Sequence, residues 1–204
     1  RDNEGAYEYI DKVRIQNIVK TYSDHINIPV ELILDDGKEK VINNGTALWT
    51  KPKDSITEEQ YNEFYKHLAH LGGKPFMTLH NKAEGIVEFT NLLFIPDKPP
   101  FDLFHPDNNS RIKLYVKKVF ITDDAVQLLP RFLRFVYGIV DSEDLPLNIS
   151  RQTLQYNNVV EKIKHSLTKR VLNELEKKSQ KEPEEYEKFW NNFGQVLKEG
   201  LCEG

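Results

Sequence analysis

Apolar residues recur at two kinds of spacing along the chain, and the spacing separates predicted helices from predicted strands. Helix-like spacing is found at residues 13–22, 57–70 and 123–137, from residue 151 onward, and in a last helix that begins near Pro183. Alternating or short apolar runs predict strands at residues 30–34, 40–42, 76–80, 86–95 and 112–121. Strands mixed with helices thus occupy about two thirds of the chain and helices the rest, which predicts an α/β layer followed by a helical extension.

The helix over residues 57–70 carries clear signals at both ends. Thr57 and Gln60 form a capping-box pattern, in which each side chain bonds the backbone N–H of the other residue. Gly72 and Gly73 follow the last apolar position and are typical of a helix end. We therefore expect this helix to be well defined.

Two other segments carry turn or breaker residues. Asp36-Gly37 lies between the first two predicted strands and is typical of a hairpin turn. Pro130 fits badly inside the helix over residues 123–137, because proline lacks a backbone N–H and its ring clashes with the preceding turn. We expect a kink or two shorter helices there, and an irregular stretch over residues 140–150.

Composition narrows the class of protein. Of the 204 residues, 39% are hydrophobic and 29% are charged, which is typical of a soluble globular chain. The formal charge of -4 gives no overall attraction to nucleic acid or to an anionic membrane. No apolar run approaches the roughly 18 residues of a membrane helix. The polar start has no signal-peptide pattern and no initiator Met, so we expect a cytoplasmic protein and an excised fragment.

Familiar enzyme signatures do not occur in the sequence. It contains no GxxxxGK[ST], GxGxxG, GxSxG or HExxH pattern. The single cysteine, Cys202, excludes an internal disulfide and lies in a poor position for a catalytic nucleophile. His67 and His70 share one helix, but no clear third ligand accompanies them, so we predict no metal site. A freestanding enzyme is therefore disfavoured.

Residues 141–155 are the most informative stretch, because they form a polar loop that leads into a helix. Asn148 or Ser150 can cap that helix, which places Arg151 in its first turn. The helix dipole disfavours a cation there, and an anionic partner such as a phosphate would explain the guanidinium. The alternative is an arginine paired with an acidic neighbour, and it stays open. The three acidic neighbours are Asp141, Glu143 and Asp144.

Eight blocks, in order, resemble the 90-kDa heat-shock protein chaperone family, in particular its bacterial members. They are SDHINIPVEL (23–32), ALWT (47–50), EEQYNEFYKHLAH (58–70), LLFIPDKPPFDLF (92–104), IKLYVKKVFITDDA (112–125), LPRFLRFVYGIVDSEDLPLNISRQTLQ (129–155), LTKRVLNELE (167–176) and FWNNFGQVLKEG (189–200). The match covers roughly residues 12–200, and DSEDLPLNISR is its most specific part.

The resemblance implies a middle segment: a three-layer α/β/α sandwich, ribosomal protein S5 domain 2-like, followed by a helical coil. On this basis residues 1–11 are an interdomain linker, residues 12–150 the large α/β/α subdomain and residues 151–204 the helical coil. The smaller α/β/α piece, the N-terminal ATPase domain and the C-terminal dimer domain of the family are expected to be absent. The short linker is similar to that of bacterial or organellar members.

The resemblance also implies a function, that of an ATP-dependent chaperone which assists protein folding. ATP, with Mg²⁺, would be bound by the N-terminal domain and not by this fragment alone, which is then not an enzyme by itself. Arg151 matches the arginine that reaches the γ-phosphate when the two domains dock, and Gln155 matches the glutamine four residues later. Gln152 departs from the glutamate that often follows the arginine. The full-length protein would be a homodimer; a non-catalytic scaffold for clients and domain docking is the alternative.

Two aromatic features are candidates for client or domain docking, as the resemblance implies for their counterparts. One is Trp49, and the other is the Pro-flanked loop that contains Phe101, Leu103 and Phe104. Exposed aromatic side chains can bind unfolded segments, whereas the alternative is that they pack into the edge of the sandwich. Both alternatives stay open from the sequence.

Overall fold

The computed structural model describes residues 12–22, 30–33, 39–41, 47–105 and 111–202. Its helices are α1 (Lys12–Tyr22), α2 (Glu58–Ala69), α3 (Arg151–Leu154), α4 (Asn158–Lys181) and α5 (Pro183–Lys198). Its strands are β1 (Glu31–Ile33), β2 (Glu39–Val41), β3 (Pro75–Ala83), β4 (Phe89–Pro96), β5 (Arg111–Val116), β6 (Val119–Thr122) and β7 (Tyr137–Ser142). The expected linker over residues 1–11 and the expected turn at Asp36-Gly37 lie outside the described residues.

Most of the predicted elements are confirmed. The strands β1 and β2 form the expected antiparallel pair. Helix α2 has the capping box, since the backbone N–H of Gln60 donates to Thr57 and the Gln60 side chain accepts from the Thr57 backbone N–H. It ends at His70 in the left-handed conformation. Helix α5 begins at Pro183, where a missing N–H does no harm.

The five-stranded sheet has the order β3-β4-β7-β5-β6, with β7 in its centre. The pairs are antiparallel except for β5 with β7, which is parallel.

The prediction of a helix over residues 123–137 was wrong. That segment contains only a 3₁₀ turn, Arg131–Leu133, with Pro130 in an extended conformation before it. Part of the predicted irregular stretch is likewise the buried strand β7, whose short apolar run has no clear period.

The predicted single strand over residues 112–121 is two strands, β5 and β6. The turn between them consists of Lys117 and Lys118, whose φ angles are 48° and 69°. Positive φ at both positions is typical of the tight turns that match the twist of a hairpin. Glycine or asparagine usually occupies such positions, so two lysines gave no turn signal. The Asp141 carboxylate supports the turn by accepting from the backbone N–H of Lys118 at 3.2 Å.

Each face of the sheet is covered by a separate layer, which confirms the α/β/α architecture. On one face the sheet packs against the buried stripes of α4 and α5, and the α4 stripe consists of Val160, Ile163, Leu167, Val171 and Leu175. On the other face it packs against α2 and Trp49. The helices after residue 150 thus share a core with the sheet. The division of the chain at that residue stays a prediction.

Candidate functional site

The loop between β7 and α3 is held at its base and exposed further along. Leu145 is buried and its backbone N–H donates to Ser142 Oγ at 3.2 Å. The carboxylate of Asp144 accepts from the backbone N–H of Glu88 at 2.6 Å, which ties the loop to the start of β4. Ser150 caps α3 by accepting from the backbone N–H of Thr153 at 3.2 Å. Of the two predicted caps, the structure uses Ser150, and Asn148 is exposed.

Arg151 begins α3 and points its side chain into solvent, with 69% of it exposed. Its guanidinium lies beside Asp124, with Nη2 3.2 Å from Oδ1 and Nη1 3.5 Å from Oδ2. Gln155 follows one turn later as the C-cap of α3 and is also exposed. The arginine is thus held by a surface carboxylate in a position from which a larger anion can compete for it.

That partner differs from the ones the sequence suggested. Asp141 is buried in β7 and accepts a hydrogen bond from Trp49 Nε1. Asp144 accepts from the backbone N–H of Glu88. Asp124 was missed because it lies 27 residues before Arg151. Its orientation follows from Thr122, whose hydroxyl donates to Asp124 Oδ1 at 3.0 Å.

The Pro-flanked loop, residues 97–105, divides its apolar side chains between the core and the surface. Phe101 is fully exposed and Phe104 is 51% exposed, whereas Leu103 is buried. Asp102 anchors the loop by accepting from Arg111 Nη2 at 2.5 Å. The Leu103 carbonyl accepts from Arg134 Nε at 2.8 Å. The loop therefore presents two phenyl rings from a backbone that is fixed on both sides of Leu103.

Trp49 lies in the core with 1% of its surface exposed, so the exposed alternative left open by the sequence is not the one found. Its Nε1 donates to Asp141 and its carbonyl accepts from His80 Nε2 at 2.8 Å. Because a carbonyl can only accept, the His80 proton is on Nε2, and Nδ1 accepts from the Tyr61 hydroxyl at 2.7 Å. Burial lowers the pKa of His80. Trp49 and Leu103 would have to leave the core before they could contact a client.

Neither a metal cluster nor a membrane helix is found in the part of the chain that the structure describes. No group of three or more His, Cys, Asp or Glu side chains converges there. No helix within the described ranges is both long enough and apolar enough to cross a membrane.

Comparison with known proteins now places these features in a family. The model of the family described as Hsp90 protein matches residues 35–204. The chain belongs to the Hsp90 family. Among its relatives, chaperone protein HtpG of Wolbachia pipientis wMel is 61% identical over 196 residues, which is 96% of this chain and 31% of that protein. HtpG of Orientia tsutsugamushi (strain Boryong) is 60% identical, with the same coverage of both chains.

HtpG of Rickettsia prowazekii (strain Madrid E) is 59% identical over 96% of this chain and 32% of its own length. The resemblance to the 90-kDa heat-shock protein family is therefore confirmed. This Hsp90-family chain spans about a third of the length of the curated relatives that it matches.

Proposed function

We propose that the chain is the middle segment of an ATP-dependent chaperone of the Hsp90 type, and that Arg151 completes its ATPase site. ATP and its Mg²⁺ are held by a separate N-terminal domain of the same protein. The relatives named chaperone protein HtpG and the family match support the chaperone role. The observation that carries the catalytic part is the exposed guanidinium of Arg151, held only at the surface by Asp124.

The chemistry of Arg151 suits a γ-phosphate in transfer. A guanidinium keeps its charge at all relevant pH values and donates two parallel hydrogen bonds to phosphate oxygens. Breaking the ion pair between Arg151 and Asp124 requires little free energy, since an exposed ion pair contributes only about 0.2–1 kcal/mol. In this proposal Gln155, an exposed residue one helical turn after Arg151, bonds the same phosphate or the attacking water. Domain docking would supply these groups when ATP is bound.

Phe101 and Phe104 form the part of the predicted docking surface that is accessible. Exposed aromatic rings on a fixed backbone bind apolar segments with little loss of conformational entropy. We therefore propose that these two rings contact clients, with a docked domain of the same protein as the alternative occupant. The full-length protein acts as a cytoplasmic homodimer in this proposal.

The test is ATP turnover by the full-length protein that carries Arg151→Ala, with nucleotide affinity measured on the same sample. Turnover should fall by about ten- to a thousandfold, as it does when an arginine finger is lost. Affinity should stay within about twofold, because the contact forms mainly in the transition state. Lys169→Ala, which removes an exposed cation from α4, is the control.

Unchanged turnover would favour the second candidate, a non-catalytic scaffold in which Arg151 only braces the loop against Asp124. A third measurement addresses a freestanding enzyme. The isolated 204-residue chain should neither bind nor hydrolyse ATP at submillimolar concentrations, and turnover by this chain alone would contradict the divided site.

A further inference from the structure

Arg134 is a buried cation that lies beside the Pro-flanked loop, residues 97–105. Only 5% of its side chain is exposed, although an arginine inside a core is costly unless it is paired and fully hydrogen-bonded. Its Nη1 and Nη2 donate to the two carboxylate oxygens of Glu199 at 2.6 Å and 2.9 Å. Nε donates to the Leu103 carbonyl at 2.8 Å, and Nη1 also reaches the Arg131 carbonyl at 2.9 Å. Each of its three nitrogens is therefore bonded.

These contacts join three segments that are distant in sequence. Leu103 belongs to the loop over residues 97–105, Arg131 begins the 3₁₀ turn before β7, and Glu199 begins the 3₁₀ turn Glu199–Leu201 that follows α5. The guanidinium carbon also lies 5.8 Å from the centre of the Phe104 ring. Arg134 thus contacts the backbone at Leu103 and the ring of the exposed residue next to it.

Stability alone does not account for a charge at this position. Well-packed apolar side chains often stabilise a core as much as a buried charge does, because the charge first has to lose its water, and here only Arg134 is buried while 38% of the Glu199 side chain is exposed. What an apolar residue cannot do is fix the direction of a carbonyl and of a carboxylate at the same time. The planar guanidinium of Arg134 does both, because Nε donates to the Leu103 carbonyl while Nη1 and Nη2 donate to the two carboxylate oxygens of Glu199.

We propose that Arg134 is the positioning residue of the docking surface formed by Phe101 and Phe104, and that Glu199 holds Arg134 in place. The 3₁₀ turn after α5 then controls how firmly the loop presents its rings. The functional meaning of this link rests on the proposed docking role of the loop, whereas the physical link does not. A second hydrogen bond also joins α5 to the loop, since the Asn192 side-chain amide donates to the Asp97 carbonyl at 3.1 Å.

Amide hydrogen exchange on the 204-residue chain tests the physical link without any client. The reporters are the N–H groups of Leu103 and His105, which donate to the carbonyls of Pro100 and Asp102. Glu199→Gln keeps the shape of the side chain but removes its charge. Exchange at both reporters should become about ten- to a hundredfold faster, as expected when a charge-assisted contact that holds a local segment is weakened. Exchange in the buried turns of α4 should not change.

Glu58→Gln is the matched control, because it removes the same charge from an exposed ion pair with Lys74 at the start of α2. Loop exchange in Glu199→Gln that equals the exchange in this control would overturn the positioning role. Arg134→Lys is the second variant: it keeps the charge and loses the fork, so it should accelerate the same two reporters. Glu199→Asp keeps the charge on a shorter arm and should fall between the wild type and Glu199→Gln.

Binding of reduced, carboxymethylated α-lactalbumin, a permanently unfolded protein, tests the functional meaning. Glu199→Gln should weaken binding of this probe three- to tenfold in the wild-type background, as about 1 kcal/mol of lost ordering would. It should have no further effect in a background that carries both Phe101→Ser and Phe104→Ser, because both rings of the docking surface are then gone. Full additivity of the two changes would contradict action through the loop.

The two proposals can fail separately. If Phe101→Ser binds the probe as well as the wild type does, the docking role is wrong, whatever the exchange results are. If Phe101→Ser weakens binding but Glu199→Gln leaves both exchange and binding unchanged, the docking role stands and the positioning role is wrong. A change in loop exchange with no change in binding would likewise contradict control of the docking surface by Glu199.

Discussion

The indole Nε1 of Trp49 donates a 2.7 Å hydrogen bond to Oδ2 of Asp141, a carboxylate 92 residues later in the chain. Both side chains are buried. The same carboxylate accepts from the backbone N–H of Lys118. Asp141 therefore bonds both to Trp49, in the layer on one face of the sheet, and to the turn between β5 and β6. A tryptophan that was a candidate for client contact is instead a donor to a buried acid.

Trp49→Phe should destabilise the chain through this bond. Phenylalanine refills much of the space but leaves the Asp141 carboxylate with one donor fewer, and an under-satisfied buried acceptor costs about 1–3 kcal/mol. Urea unfolding measures this loss. Trp190→Phe, at a partly exposed position on α5, is the control and should change the free energy of unfolding far less. Equal effects in both variants would show that the bond to Asp141 contributes nothing.

Asp141 also predicts a pH dependence. Burial raises the pKa of its carboxyl above the ordinary value, and the hydrogen bonds from Trp49 and Lys118 offset only part of that rise. The folded state therefore binds the proton more tightly than the unfolded state does. The contribution to stability is complete below the unfolded pKa, which is near 3.8, and is lost as pH rises through the folded pKa.

The measurement is urea unfolding of the wild type and Asp141→Asn from acid to neutral pH. Because the asparagine cannot ionise, the stability of the wild type relative to the variant should fall as pH rises above that range. A relative stability that increases with pH would mean that the hydrogen bonds outweigh desolvation and that the folded pKa is lowered.

Asp124→Asn should raise ATP turnover of the full-length protein. Asp124 holds Arg151 at the surface, and its loss frees the guanidinium for a docked phosphate. An exposed ion pair contributes little, so the increase should be no more than about fivefold. Asp123→Asn changes the neighbouring charge and should leave turnover as it is. A decrease in Asp124→Asn would indicate that this pair aligns the arginine and does not restrain it.

Gly138→Ala should destabilise the sheet at its centre. A Cβ at this position of β7 would collide with the Leu92 carbonyl and approach Leu93 to 2.8 Å. Forcing a methyl group into packed backbone costs about 1–3 kcal/mol or more. Gly72→Ala is the matched control, because nothing lies within 4 Å of its added Cβ. Thermal unfolding of both variants should separate them clearly.

The sequence predicted the elements whose signals are local and regular. The capping box of α2 and the apolar stripe of α4 are examples, because each is set by neighbours within a few turns. Strand β7 was missed because a short buried strand and a helix segment share the same apolar pattern, and only its place between β4 and β5 decides between them. The turn at Lys117 and Lys118 was missed because Asp141, from a distant strand, supports it.

The candidate site shows the same division. Arg151 and its cap Ser150 could be found because a cation in a first helical turn is a local oddity. Asp124 and Glu199 could not be found from spacing, since they lie 27 and 65 residues from the arginines that they bind. Exposure of Phe101 and burial of Leu103, two residues apart, depend on how the loop is anchored from outside.

The central position of β7 determines when the sheet can be completed. The hairpins β3–β4 and β5–β6 each join segments close in sequence, so each can form early from local contacts. Both precede the strand that connects them, and during synthesis they leave the ribosome first. Until residue 142 emerges, the inner edges of β4 and β5 are open for pairing with other chains. The nascent Hsp90-family chain thus passes through a stage in which two open strand edges depend on protection from outside the sheet.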